Sequence, residues 1–207
     1  MQKTKIDWPG LDYTWNPVIG CKRNCFYCYA KRMNTRFKWI PDWNKPQYFP
    51  NRLEIPLKVE RPSTWFVGSI SDICYWYTIW ILNVLAICKI CNQHKFMFLT
   101  KQPDIYNHLT FPLNCMLGLT INSDADYKKY ADFLNIHERG NKTFLSIEPL
   151  LGTVNLSLSE TCIDLVIVGA DSTKGAKPPK KEWIESIKHP NIHWKANIKK
   201  YLSLGVS

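Results

Sequence analysis

With 207 residues, 45% hydrophobic and 21% charged, the chain has the size and balance of one globular domain with a sizeable core, which excludes a disordered or low-complexity polypeptide. Its formal net charge of +10, from 27 Lys and Arg against 17 Asp and Glu, favours anionic partners such as nucleotides, nucleic acid or phosphorylated metabolites; the other reading is a generally basic surface. The eight cysteines do not follow an apolar leader, because Lys3, Lys5, Asp7 and Pro9 occupy the start, so reduced thiols in the cytoplasm are expected and not a secreted disulfide framework.

Residues 1–13 are polar with scattered aromatics and are expected to wrap the domain edge. Tyr13 to Val18 reads as a strand, and Pro17 and Gly20 then break regular structure ahead of Cys21. Cys21, Cys25 and Cys28 stand at spacing C-x3-C-x2-C within residues 13–30. Thiolates are the usual ligands of iron–sulfur clusters, and three local cysteines leave one iron of a four-iron cluster without a protein ligand, open to a small molecule. The competing reading is a structural zinc site completed by Cys88 and Cys91. Tyr29 to Lys38 is expected to be helical, and the Pro- and aromatic-rich stretch 39–63 an ordered arm, either a substrate lid or a packed surface segment.

From residue 64 to residue 200 short apolar runs alternate with helical stretches. The runs are Thr64–Gly68, Lys95–Thr100, Cys115–Ile121, Lys142–Ile147, Leu165–Gly169 and Ile192–Lys195. Continuous apolar runs of this length suit parallel strands buried on both faces, so an α/β sheet or barrel of about six or seven strands is predicted. The charge-free segment Ile73 to Cys88 is predicted to be one buried or interface-facing helix, too short to span a membrane. Cys74, Cys88 and Cys91, on or near this helix, are read as core or incidental thiols; an auxiliary cluster would need a fourth ligand from Cys115 or Cys162, which lie in separate units. Eight lysines between Lys174 and Lys200 face only Glu182 and Glu185, forming either a solvated face or a phosphate-contacting lip.

The cysteine spacing, with the aromatic Tyr27 before the last cysteine, resembles the signature of the radical S-adenosylmethionine (SAM) superfamily. The flanks Lys5-Ile6-Asp7-Trp8, Thr14-Trp15-Asn16-Pro17-Val18-Ile19-Gly20-Cys21, Phe66-Val67-Gly68-Ser69-Ile70-Ser71-Asp72, Phe98-Leu99-Thr100-Lys101-Gln102-Pro103, Phe144-Leu145-Ser146-Ile147-Glu148-Pro149-Leu150-Leu151-Gly152 and Val166-Ile167-Val168-Gly169 are similar to a narrower group of small phage- or prophage-encoded radical-SAM-like proteins. The resemblance implies a single compact domain, a partial (β/α)6 TIM-like barrel, binding a 4Fe–4S cluster through Cys21, Cys25 and Cys28. It also implies SAM on the open iron, cleaved reductively to a 5′-deoxyadenosyl radical, and a flavodoxin- or ferredoxin-like electron donor. The short flank around Cys28 looks like that of enzymes that repair DNA photoproducts. With the basic charge it points to a nucleotide or a modified DNA base as substrate, in the host cytoplasm if the protein is phage-encoded, and the reaction could be a rearrangement of an amino-acid-bearing base.

In parallel barrels the C-terminal strand ends form the active face, and polar residues do follow each apolar run. The resemblance places the SAM ammonium at Gly68, Ser69, Ser71 and Asp72, although the usual Gly-Gly-Glu is absent there. By the chemistry of SAM, Lys101 with Thr100 is the first candidate for its carboxylate, Thr120, Asn122 and Ser146 for the ribose hydroxyls, and Tyr27 with the backbone around Val168 and Gly169 for the adenine. Glu148, at a strand end before Pro149, needs a partner or a ligand; Lys101, Asp171 and Lys195 are the expected neighbours and, with Glu148, the candidates for catalysis. Asn16 is expected to tie down the cluster loop and Trp15 to shield it. Two rival readings are a zinc- or cluster-containing nucleic-acid-binding module and a regulatory protein that holds a cluster without turnover.

Overall fold

The computed structural model describes residues 3–136, 140–155 and 162–202. β1 (Tyr13–Trp15) and β2 (Val18–Ile19) lead into the cysteine loop, α1 (Tyr29–Phe37) leaves it, and β3 (Gln47–Tyr48) pairs antiparallel with β2. Then follow β4 (Thr64–Val67), α2 (Thr78–Ile90), β5 (Lys95–Thr100), β6 (Cys115–Thr120), α3 (Tyr127–Leu134), β7 (Thr143–Ile147), β8 (Leu165–Val168), α4 (Lys181–Glu185), β9 (Ile192–Trp194) and α5 (Ala196–Leu202). Seven of these strands form one sheet in the order β1-β4-β5-β6-β7-β8-β9, every neighbouring pair parallel, curled into a half-barrel. The chain is therefore an α/β single domain with a partial TIM-like architecture, as its apolar runs predict.

Side chains alternate across the strands, so each strand feeds two cores. The outer core packs Trp65, Phe96, Leu117, Leu145, Val166 and Val168 against helix residues including Val84, Leu85, Phe133 and Ile198. The inner face carries Phe66, Met97, Phe144 and Ile167, and these close around Trp8. Trp8 stacks on Phe66 with ring centroids 4.3 Å apart and meets Phe144 edge-on at 5.4 Å. The N-terminal segment therefore does more than wrap an edge, since Trp8 fills the inside of the half-barrel. Gly118 makes room for this arrangement, because a Cβ there would lie 2.3 Å from the Phe144 ring. Truncating Phe144 would open the inner core at a cost of about 3–5 kcal/mol.

Two local expectations are corrected. The helix predicted from Ile73 is divided into a 3-10 turn, Ile73–Tyr75, and α2, which starts at Thr78. The Asp72 carboxylate caps the turn by accepting from the Cys74 amide at 3.3 Å. Trp76, held extended, donates its indole N–H to the Ser71 hydroxyl at 3.2 Å. Trp15 is fully buried in the outer core beside Phe96 and donates its indole N–H to the Arg52 carbonyl at 2.8 Å, so it stays out of the cysteine loop's environment. The arm packs as a wall: Ile40 and Trp43 are buried with Ile19 and Ala30 against Cys21 and Cys28. All eight cysteines are free thiols, with Cys88, Cys91 and Cys115 buried in the core. Among the described residues no helix is long and apolar enough to cross a membrane.

Candidate functional site

The loop after β2 is shaped by glycine and by the arm. Gly20 adopts φ +105°, and a Cβ there would sit 2.8 Å from Ile40 Cδ1 and 2.9 Å from the Trp43 carbonyl, so only glycine permits this approach. The Cys21 amide donates to that Trp43 carbonyl at 2.9 Å. Two thiols already receive backbone N–H groups at 3.4 Å, Cys21 from Arg23 and Cys28 from Lys31, the latter capping α1. Burial pushes the Cys21 thiol up to about 12, against the opposing pull of the Arg23 amide.

Cys21, Cys25 and Cys28 form one wall of a cavity of about 360 Å³ at the C-terminal end of the sheet. Most of the polar lining comes from strand ends. Gly68, Ser69, Ser71 and Asp72 follow β4; Thr100 and Lys101 close β5; Thr120 ends β6; Ser146 and Glu148 come from β7; Asp171 follows β8 and Lys195 follows β9. Tyr27 and Trp43 complete the rim, and Ile6, Trp8, Phe66 and Leu99 give an apolar floor. Parallel strands bring these positions together because residues far apart in sequence end at one level of the sheet.

The turn after β4 is preorganised. Gly68 has φ +73°, and Asn16 Oδ1 accepts from the Ser69 hydroxyl at 3.1 Å and the Ile70 amide at 3.3 Å. Asn16 thus ties down this turn. Both Asp72 oxygens are engaged, one by Thr100 Oγ1 at 2.6 Å and the Cys74 amide, the other by the Lys101 amide at 3.2 Å. Asp72 is therefore a buried joint between β4 and β5, and the hydroxyls of Ser69 and Ser71 are the more accessible groups of the turn.

Charge in the cavity is unevenly matched. The Lys195 ammonium donates to Glu148 Oε1, and their side chains are 14% and 28% exposed. Lys101 has no ion pair among the described residues. Burial holds its amine below the ordinary lysine value, partly offset by Cys25 and Asp72, and the ammonium lies 5.3 Å from the centre of the Tyr27 ring. Asp171 accepts the Thr173 amide at 2.8 Å.

Three expected positions lie off the cavity walls. The Val168 side chain points into the outer core. Gly169 makes space for the Glu148 carboxyl, which a Cβ there would approach to 3.1 Å, and its backbone N–H and C=O already bond Ile147 and Leu150. Asn122 accepts from the Tyr27 hydroxyl at 2.9 Å and donates to the Pro149 carbonyl at 2.6 Å, so it anchors the loop.

Trp8, Arg23 and Trp43 line the cavity without having been anticipated there. Each carries a buried N–H (Trp8 Nε1, Arg23 Nε, Trp43 Nε1) with no partner among the described residues. These N–H groups are closed to water and so do not open onto the cavity. Arg23 was open to detection, because it stands between Cys21 and Cys25; Trp8 and Trp43 reach the site through tertiary packing alone. Among the described residues no three His, Cys, Asp or Glu side chains converge on one point as a single ion would need. Three soft thiols along one wall fit a polynuclear iron–sulfur group, in which each thiolate takes its own iron.

The family described as "Protein of unknown function (DUF5131)" matches residues 3–197. No curated protein matches the chain. Among solved structures, spore photoproduct lyase complexed with dinucleoside spore photoproduct is similar with a TM-score of 0.59 and 13% identity, covering 81% of this chain and 57% of that one. A Cys-to-Ser mutant of spore photoproduct lyase is similar with a TM-score of 0.56 and 14% identity, over 72% of this chain and 48% of that one. The chain thus spans about half the length of these structures, with which it shares a fold.

Proposed function

Because this chain belongs to the DUF5131 family, whose description assigns no reaction, we propose from its site that it is a radical SAM enzyme acting on a nucleotide or DNA base. The observation that carries this reading is the cavity itself, where three thiols oppose a ring of strand-end polar residues. Cys21, Cys25 and Cys28 would hold a 4Fe–4S cluster, and SAM would fill the cavity beside it. When bound, this pair supplies one-electron reductive cleavage of SAM and hence the means to remove a hydrogen atom from a substrate.

The chain's own residues bind and exclude. Lys101, without an ion pair among the described residues, offers its ammonium to a carboxylate. Ser69 and Ser71 offer hydroxyls to an ammonium, and Thr120 and Ser146 face the cavity at ribose-binding positions. Tyr27 covers one side, while Ile6, Trp8, Phe66 and Leu99 keep water from the floor. Glu148 and Lys195 form the polar end where a substrate's own charged groups can exchange with the pair; Asp171 lies on the same rim. Asn122, Val168 and Gly169 support these groups from behind.

The nucleic-acid-related substrate is supported by the net charge of +10 and by the fold shared with a lyase whose structure holds a dinucleoside photoproduct. The finer reading is a phage base-modification step, a rearrangement of an amino-acid-bearing base, with a flavodoxin- or ferredoxin-like protein as electron donor. The test is anaerobic reconstitution with iron and sulfide followed by electron paramagnetic resonance of the reduced protein. The reading expects a cluster signal that changes when SAM is added; a cluster signal indifferent to SAM would sink it.

A further inference from the structure

Between Asp12 and Asp42 the chain holds six Lys or Arg and no acidic residue. This stretch contains the cysteine loop and α1. One face of α1 carries Tyr29, Arg32, Met33, Arg36 and Phe37, at the i, i+3, i+4, i+7, i+8 spacing of a helical stripe. The stripe points to solvent: Tyr29 is 42%, Met33 38% and Phe37 52% exposed, and Phe26 in the adjoining loop is 73% exposed. Ala30 and Asn34 take the buried side. Amphipathic helices normally turn such rings inward, so an outward apolar and cationic stripe calls for a partner.

The geometry points to this stripe as a docking platform for single-stranded nucleic acid, which feeds the cavity. The Arg36 guanidinium lies 5.1 Å from the Phe37 ring centre, and Phe37 stacks on Trp39 at 5.8 Å and 14°. Flat rings backed by guanidinium groups are what unpaired bases stack on, and the same cations meet the phosphates. Neither Arg32 nor Arg36 makes an ion pair among the described residues, so their charge is available to an anion. The platform runs into the cavity. Tyr29 lines its wall, and Arg32 donates to Thr173 Oγ1 at 3.4 Å, next to Asp171 and Ser172 of the rim. An acidic redox protein would also meet these charges and rings; the choice of nucleic acid follows from the platform's continuity with the cavity, where the substrate enters. This inference rests on the proposed function for its choice of nucleic acid, and it makes the substrate a polymer and not a free nucleotide.

Fluorescence anisotropy with a labelled mixed-sequence single-stranded DNA oligonucleotide tests it without turnover. The platform predicts binding that weakens linearly in log–log form with salt. Arg32→Gln/Arg36→Gln is expected to lower affinity at least tenfold and to flatten the salt slope by about 1.4, at roughly 0.7 for each phosphate no longer neutralised. Phe37→Ala is expected to lower affinity by about fivefold or more at every salt concentration with the slope unchanged. Lys188→Gln, on the lysine-rich end, serves as a control expected to bind as wild type, and circular dichroism confirms that each variant is folded. Wild-type affinity in the folded double variant would overturn the proposal. So would a protein that ignores DNA at low salt and instead binds an acidic flavodoxin through these side chains. The radical reading is scored separately, by 5′-deoxyadenosine formation in the wild-type protein, so the two can fail independently.

Discussion

Tyr27 donates its hydroxyl to Asn122 Oδ1 at 2.9 Å, joining the cysteine loop to the end of β6 across 95 residues of chain. The same Asn122 holds the Pro149 carbonyl at 2.6 Å, so one amide fixes the loop relative to two strand ends. Tyr27→Phe is expected to cost about 1 kcal/mol in urea unfolding, the net worth of one such hydrogen bond. Asn122→Ala should cost more, about 1–3 kcal/mol, because it strands both partners. The double variant should lose no more than Asn122→Ala plus a few tenths of a kcal/mol, since the two changes remove the same bond.

Gly68 separates conformational strain from crowding. It shares a positive φ with Gly175, +73° against +80°, yet a Cβ at Gly68 meets the Trp76 ring at 2.9 Å while one at Gly175 meets nothing within 4 Å. Gly175→Ala is expected to cost about 1 kcal/mol, and Gly68→Ala about 2–3 kcal/mol, with a change in tryptophan emission as Trp76 is displaced. Equal costs at the two sites would show that the turn after β4 tolerates the added methyl.

The Glu148–Lys195 pair lies at the cavity's polar end, and Gly169 exists beside it to admit the carboxyl. Glu148→Gln keeps the shape and a hydrogen-bond acceptor, so its stability cost is expected to stay within about 1–2 kcal/mol. Product formation should fall by about 100-fold, the scale of a misplaced reacting group. Parallel denaturation and turnover measurements separate the two; a loss of turnover no larger than the loss of folded protein would make the pair structural.

Lys101 carries a charge that burial opposes and no ion pair relieves among the described residues, so Lys101→Met is expected to stabilise the protein without ligand by about 1 kcal/mol. The sign with pH follows from the lowered amine. Below its folded pKa the ammonium is charged and the penalty is full, and as pH rises through that value towards the unfolded one near 10.4 the penalty fades. The stabilisation in Lys101→Met should therefore shrink on going from neutral to alkaline pH, while SAM binding is weakened at neutral pH. Thermal midpoints across that range check the first expectation and isothermal titration the second.

Much of the scaffold was legible because continuous apolar runs admit few alternatives: each run from Thr64 onward became a parallel strand within a residue or two of its expected ends. The division of those runs between two cores was not legible, because it depends on Trp8 arriving from a distant segment. The break before α2 was not legible because Ile73 to Cys88 holds no Gly, Pro or charged residue to mark it, and it is Trp76 packing under Gly68 that accompanies the extended residue. In the site, strand-end position correctly brought Lys101, Thr120, Ser146, Glu148 and Lys195 to one cavity. It says nothing of which side chain points inward: Val168 packs in the outer core and Ile167, one step along, in the inner one. Nor could it reveal that Asp72 spends both oxygens on Thr100, Lys101 and Cys74.

The most direct test of the central claim is 5′-deoxyadenosine, measured chromatographically after anaerobically reconstituted protein is reduced with dithionite and given SAM. 5′-Deoxyadenosine and methionine are expected in equal amounts, with both abolished in Cys25→Ala. Formation of 5′-deoxyadenosine undiminished in Cys25→Ala, or stoichiometric zinc in place of a cluster with no cleavage, would contradict that claim.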